Sequence, residues 1–271
     1  MPNSTQPISP AVLTEPRPWS VATMALTGLF VATAATAQTS PAPEERSNFT
    51  LGVGVVHAPE YEGSDRNKAR GLPLINYRSG RLFVGTLGGI GYNVSNLPNL
   101  AFGPVLSYRF GRDESDSVRL QGLGDIDGGA DLGGFVRWNL QPFSLHATLK
   151  HGLGGDASGT QLRLGAGYAM TLTKSDRLVF DTSMEWADTD VMQGHYGVTA
   201  QQSARSGLPQ YSASSGLRRY GVGALWTHAF TPQWSSSVGL GVYRLAGDAV
   251  NSPITVKRNV GLVSLGLAYS F

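Results

Sequence analysis

The chain has no cysteine, little charge and, beyond its first forty residues, no long apolar run. The first absence excludes a disulfide framework and thiolate metal sites, and it suits an oxidising compartment where stray thiols cross-link. Charged residues make up 15% of the sequence, against about 25% in soluble domains. The net charge is +2 with no Lys/Arg run, so there is no electrostatic footprint for a nucleic-acid partner. Past the leader no apolar stretch approaches the ~20 residues of a membrane-spanning helix. Glycine, by contrast, is plentiful at 35 residues, well above its usual share of roughly 7%. Mean hydropathy is −0.10. Aliphatic and aromatic residues recur regularly, which argues against a disordered chain.

The first segment reads as an export signal. Arg17 precedes an apolar stretch from Val21 to Ala35, and Ala35-Thr36-Ala37 supplies small residues before Gln38. Charge, apolar core and A-x-A site in that order are what a secretory signal peptide needs. We therefore expect a signal peptide over 1–37, with Met24 as an alternative start, a polar linker over 38–47 and one domain over 48–271. An N-terminal membrane anchor is the competing reading of the apolar stretch.

The rest alternates. Val263, Leu265, Leu267, Tyr269 and Phe271 share one face, and Ser264, Gly266, Ala268 and Ser270 the other. Leu162, Leu164, Tyr168 and Met170 alternate with Gln161, Arg163, Gly165 and Gly167, and Tyr220, Val222 and Trp226 alternate with Arg219, Gly221 and Gly223. A sustained period of two is a strand signal that helices cannot produce. A soluble sandwich would alternate too, but here one face is Gly, Ser, Thr and scattered charge, which suits a watery lumen. The other face places aromatics such as Tyr108, Phe110, Tyr168, Trp186, Trp226 and Phe230 near strand ends, as interfacial girdles require. The spacing predicts strands at 48–58, 70–77, 81–87, 89–94, 98–110, 128–140, 142–151, 160–173, 177–187, 216–230, 233–245 and 259–271. The expectation is an all-β fold, a closed antiparallel transmembrane β-barrel of about 12 strands in contact with outer-membrane lipid. Ten strands is the alternative, because 81–94 keeps one parity throughout and also reads as a single strand. Closure is required because lipid cannot satisfy a free strand edge. Connections alternate short and long, so with both termini periplasmic the short turns are periplasmic and the long loops extracellular. The longest loop, 188–214, carries Val191, Met192, Tyr196, Val198, Leu208 and Tyr211. Such apolar content predicts an ordered loop, with a short helix, folded over or into the barrel mouth.

Several segments resemble the MipA/OmpV family of outer-membrane proteins. Pro59-Glu60-Tyr61-Glu62-Gly63-Ser64-Asp65 is similar to that family's P-x-Y-x-G-S-D segment, followed by Leu72-Pro73-Leu74-Ile75-Asn76-Tyr77. Trp186-Ala187-Asp188-Thr189-Asp190-Val191-Met192, Tyr196-Gly197-Val198-Thr199 and Ser206-Gly207-Leu208-Pro209 are similar to its long loop, with His195 as a departure. Tyr243-Arg244-Leu245-Ala246-Gly247-Asp248 and Asn251-Ser252-Pro253-Ile254 fit its penultimate segment. The resemblance implies an envelope scaffold at the cell outer membrane, linking a murein transglycosylase to a murein synthase; adhesins and osmoregulated surface proteins also occur in the family. It implies no catalytic residues and no cofactor. The polar and aromatic residues of these segments, with Tyr211, are the candidates for loop or lumen interactions: Tyr61, Asp65, Asp188, Asp190, Tyr196, Tyr211, Arg244 and Asp248. Tyr269 and Phe271 are the expected terminal signal to the barrel-assembly machinery.

No enzyme constellation stands out. His146 and His151 lie five apart on one strand and so face opposite sides, which opposes shared metal ligation. The Gly-x-Gly pairs (Gly165/Gly167, Gly221/Gly223) complete no dinucleotide fingerprint and read as small lumen positions. The run from Asp125 to Asp131 lacks the closing Glu of a calcium loop. Arg109, Arg137, Lys150, Arg163, Asp181, Glu185 and Arg219 fall on the lumen face, where they either line a pore or form a salt-bridged interior. Scaffold and narrow solute channel are therefore the two leading function classes, with an outer-membrane hydrolase a distant third.

Overall fold

The computed structural model describes residues 48–271; the expected signal peptide and linker lie outside the described residues. Twelve antiparallel strands close into a barrel in sequence order, with β1 pairing β12. They are β1 (Asn48–Pro59), β2 (Asn67–Ser79), β3 (Leu82–Gly85), β4 (Gly89–Tyr92), β5 (Leu100–Arg109), β6 (Gly129–Leu140), β7 (Phe143–Gly152), β8 (Thr160–Thr171), β9 (Asp176–Ala187), β10 (Gly216–Ala229), β11 (Trp234–Leu245) and β12 (Asn259–Ser270). The outward parity is apolar and open: Val53, Leu106, Val136, Leu164, Met184, Val222, Leu240 and Leu265 are all exposed. A soluble protein would hide such a surface; a barrel solvated by lipid presents it.

The stretch 81–94 folds as two strands, not one. Leu82 pairs with Tyr92 and Val84 with Ile90. The turn at 86–88 joins positions an even number apart, so the outward parity survives the reversal and the periodicity cannot reveal it. Gly89, at φ 77°, makes the bend, and a Cβ there would meet the Leu106 carbonyl at 2.2 Å. This turn also breaks the expected alternation of short and long connections, being a short one at the end away from the termini.

The β3–β4 hairpin is low. β2 pairs with β1 over its whole length but with β3 only at Asn76–Ser79, and β4 meets β5 only at Ile90 and Gly91. Thr86 ends the β2 pairing, its Oγ1 accepting from Ile75 N at 2.8 Å and its N–H donating to Ile75 O at 3.0 Å. Two residues further along the free edge stands Pro73, which has no N–H to leave unpaired; Pro104 plays the same part on β5. Above this gap Lys68 and Arg70 reach Asp116 of the β5–β6 loop at 3.6 and 3.9 Å.

The terminal strand is tied in directly. Phe271 N donates to Phe49 O at 2.9 Å, and its ring stacks on Phe49 at 5.3 Å and meets Tyr269 edge-on at 4.8 Å.

Candidate functional site

The end away from the termini is closed by four loops that build a core of their own. In the β9–β10 connection, Asp188 caps α1 (Thr189–Tyr196) by accepting from Val191 N at 3.1 Å, and its other oxygen accepts from Thr160 N at 2.5 Å. Thr199 and Gln202 form a capping box for α2 (Ala200–Ser206), which Gly207 ends at φ 73°. Each helix therefore begins on a side-chain acceptor and the second ends on glycine, as local rules predict. The loop is ordered and helical, as its apolar content implied.

α1 turns its apolar side into the barrel. Val191, Met192 and Tyr196 of α1 pack against Ala187, Tyr243, Leu245, Val260 and Leu262 on the inner wall, and against Ala249 of α3 (Gly247–Asn251). A second cluster joins Tyr61, Leu120, Leu123, Val198, Leu208 and Ile254, one or more from each of these four loops. Tyr211 packs against both clusters, and its hydroxyl donates to Asp248 O at 2.9 Å. Burying each such side chain is worth about 1.5–3 kcal/mol. Opening the mouth exposes many at once, so thermal motion alone does not do it.

Beneath this core sits an ionic quartet. A bulge between Leu217 and Arg219 breaks the alternation of β10, so Arg218 and Arg219 both face inward. Glu62, from the β1–β2 loop, pairs with Arg218 and, at 2.9 Å, with Arg219. Glu185 of β9 pairs with the same two guanidiniums at 3.1 and 2.8 Å. The four charges cancel, and the Tyr196 hydroxyl lies 3.4 Å from Arg218 Nε, its ring under the guanidinium. Burial pushes the Glu62 carboxyl up. Arg218 and Arg219, with hydrogen bonds from Tyr196 and Arg218, outweigh this and hold it at about 2. Burial and Glu62 raise the Tyr196 phenol well above its ordinary value, so it stays protonated. Burial, then Arg218, Arg112 and Arg109, keep His195 neutral, and its carbonyl accepts from Arg112 Nη1 at 3.0 Å. Burial lifts Tyr61 to about 12; its hydroxyl donates to Ile254 O at 3.0 Å.

Of the residues singled out in the sequence, Tyr61, Asp188, Tyr196, Tyr211 and Asp248 meet in this closure, Asp248 accepting from Ser214 N at 2.7 Å. Asp65, Asp190 and Arg244 stay exposed at the surface. Glu62 and Arg218 went unrecognised, although two consecutive arginines in an alternating strand are a readable sign of a bulge. The calcium-like run is engaged otherwise: Asp125 accepts from Glu114 N at 2.7 Å and Asp131 pairs with Arg109 at 2.7 Å. His146 is buried in the lumen and His151 exposed outside.

Comparison with known proteins points one way. The model of the family described as "MltA-interacting protein MipA" matches residues 51–271. The MltA-interacting proteins of Escherichia coli (strain K12) and Shigella flexneri are each 25% identical over 250 residues, which covers 84% of this chain and 91% of theirs. Among solved structures, an outer membrane channel from Pseudomonas putida F1 is similar at a TM-score of 0.45 and 11% identity, covering 88% of this chain and all of that one. OmpF of Salmonella typhi gives 0.40 and 10%, with 84% and 98% covered. Likeness at that level does not extend to function.

Proposed function

The chain belongs to the MltA-interacting protein MipA family, and from that membership we propose that it is an outer-membrane scaffold that engages a murein transglycosylase and, through it, a murein synthase. Both termini and the short turns then face the periplasm, and the four-loop closure faces outward. The observation that carries this reading is the match to relatives named for an interaction with MltA over nearly the whole barrel. The closed mouth supports it, since a free diffusion pore does not spend a hydrophobic core and a buried quartet on sealing itself. The docking surface is then the ring of short turns: 80–81, 141–142, 172–175 and 230–233. Pull-down of a purified murein transglycosylase by the folded barrel tests this. Retention that is lost when these turns are replaced by Gly/Ser supports the scaffold, and absence of retention sinks it.

A narrow solute channel is the second reading. Glycine and serine on the inner faces of β10, β11 and β12 (Gly221, Gly223, Ser237, Gly241, Ser264, Gly266) favour it by leaving the lumen wall thin on that side. Planar-bilayer recordings separate the two: the scaffold reading expects an intact chain with little conductance.

A further inference from the structure

Below the quartet, toward the termini, the lumen carries charge that the barrel does not neutralise. Arg137, His146, Gly165 and Ser183 lie on one row of the sheet across β6, β7, β8 and β9. Asp181 sits one inward position nearer the termini, its side chain 1% exposed. Neither of its oxygens has a hydrogen-bond partner. Arg163 and His146 approach it only to 3.8 and 3.7 Å, beyond hydrogen-bonding reach. His146 Nε2 and Arg163 Nε also lack partners. Arg137 is close enough to feel both Asp181 and the like charge of Arg78. Among the described residues neither the Arg78 nor the Arg137 side chain makes an ion pair or a hydrogen bond.

The wall beside these free groups is built of glycine. Asp181 pairs in register with Gly167 on one side and Gly223 on the other, and Gly223 with Gly241. A Cβ at Gly165 would lie 2.2 Å from His146 Nε2, and one at Gly167 would lie 2.7 Å from Ser144 Oγ. The His146 imidazole and the Ser144 hydroxyl thus lie over these two glycines, while Gly223 and Gly241 put no side chain into the lumen on the other side of Asp181. Arg78, exposed at the rim of the terminal end, marks the way in, because the other end is sealed.

Buried polar groups are ordinarily paired, and leaving them bare is costly. Here Arg137 and Arg163 lie around Asp181, with Arg78 beside Arg137, a surplus of positive charge that the balanced quartet above does not relieve. An anion answers the surplus. An anion without hydrogens still leaves both Asp181 oxygens bare, so the ligand must donate as well. We propose that this half of the lumen binds a small organic carboxylate that also carries hydroxyl or ammonium hydrogens. Arg78, Arg137 and Arg163 take the carboxylate, Asp181 accepts from the donors, and His146 Nε2 completes the contact. The proposal is independent of the scaffold reading, because a barrel that binds no transglycosylase can still hold this solute.

Isothermal titration of the folded full-length barrel in detergent tests it, with D-gluconate, acetate and glucose as probes. Saturable heat with gluconate, weaker heat with acetate and none with glucose is the expected order. Arg137→Gln and, at the rim, Arg78→Gln each weaken gluconate by at least about tenfold, the scale of a lost charge-assisted bond. Asp181→Asn brings gluconate down toward acetate while sparing acetate. Lys257→Gln, exposed in the β11–β12 loop at the sealed end, changes nothing. Heat-modifiable migration on gels verifies that each variant is folded, and Arg78→Gln stands in should a deeper variant not fold. No saturable heat with gluconate, or folded arginine variants that bind it unchanged, overturns the site. Equal affinity for acetate and gluconate overturns the role given to Asp181.

Discussion

Arg218 and Arg219 are adjacent in a strand whose side chains otherwise alternate, and the bulge at Arg218 turns both toward Glu62 and Glu185. Four charges so placed hold the β1–β2 loop to the wall of β9 and β10. Removing Glu62 leaves two guanidiniums sharing Glu185, with one positive charge uncompensated in a nearly dry site. Glu62→Gln should therefore destabilise the closure by about 3–5 kcal/mol, the usual result of breaking a buried pair from one side. A lower temperature for loss of the heat-modifiable form, or proteolysis within 188–215, reads this out; a variant as stable and as resistant as the parent refutes it. The same carboxyl sets a pH window. Its value of about 2 lies below the ordinary 4.5, so the released state binds the more protons. Its stabilisation is complete above about pH 4.5 and is lost as pH falls toward 2. Conductance should stay flat from pH 7 to 5 and rise below that. Glu62→Gln should raise the baseline and flatten the response. A transition centred near pH 6 would implicate some other group.

At the scale of elements, α1 and α2 depend on their caps because they are too short to be stable alone. Asp188 does double duty, capping α1 and accepting from Thr160 N on β8. Asp188→Ala should cost about 0.5–2 kcal/mol for the cap, plus whatever the freed Thr160 N–H loses. It should loosen 188–215 without unfolding the strands, and hydrogen exchange localised to this loop and the start of β8 is the signature. Deleting residues 193–209 is the stronger test, since it removes Tyr196, Val198 and Leu208 from both apolar clusters. The barrel should still fold and run as a heat-modifiable band, and conductance should rise. Unchanged conductance would mean that the other three loops seal the mouth unaided.

For the whole molecule the governing fact is that inside and outside are exchanged relative to a soluble fold. Leu164 is 42% exposed on the outer face, and Gln161 on the same strand points inward. An arginine on the lipid face near the midplane costs about 2–4 kcal/mol. Leu164→Arg should thus impair assembly into vesicles markedly, and Gln161→Arg much less. Similar folding yields for the two would remove the basis for the lipid-facing assignment.

The sequence by itself determined the barrel class, the face each strand turns outward and the positions of most turns, while leaving the count between twelve and ten at 81–94. These follow from a period of two and from glycine and proline, which are properties of neighbouring residues. It also marked 188–214 as ordered, because apolar residues in a loop need somewhere to go. Only the tertiary structure decided which loops share a core, that β10 bulges at Arg218, that the β3–β4 hairpin is low, and that Glu62 completes a quartet 156 residues from Arg218 in the chain. It alone separated Tyr61, Tyr196 and Tyr211, which are drawn into the closure, from Asp65, Asp190 and Arg244, which stay at the surface. Burial and ion pairing at this range depend on where a closed sheet brings its loops, and alternation along a single strand holds no record of that.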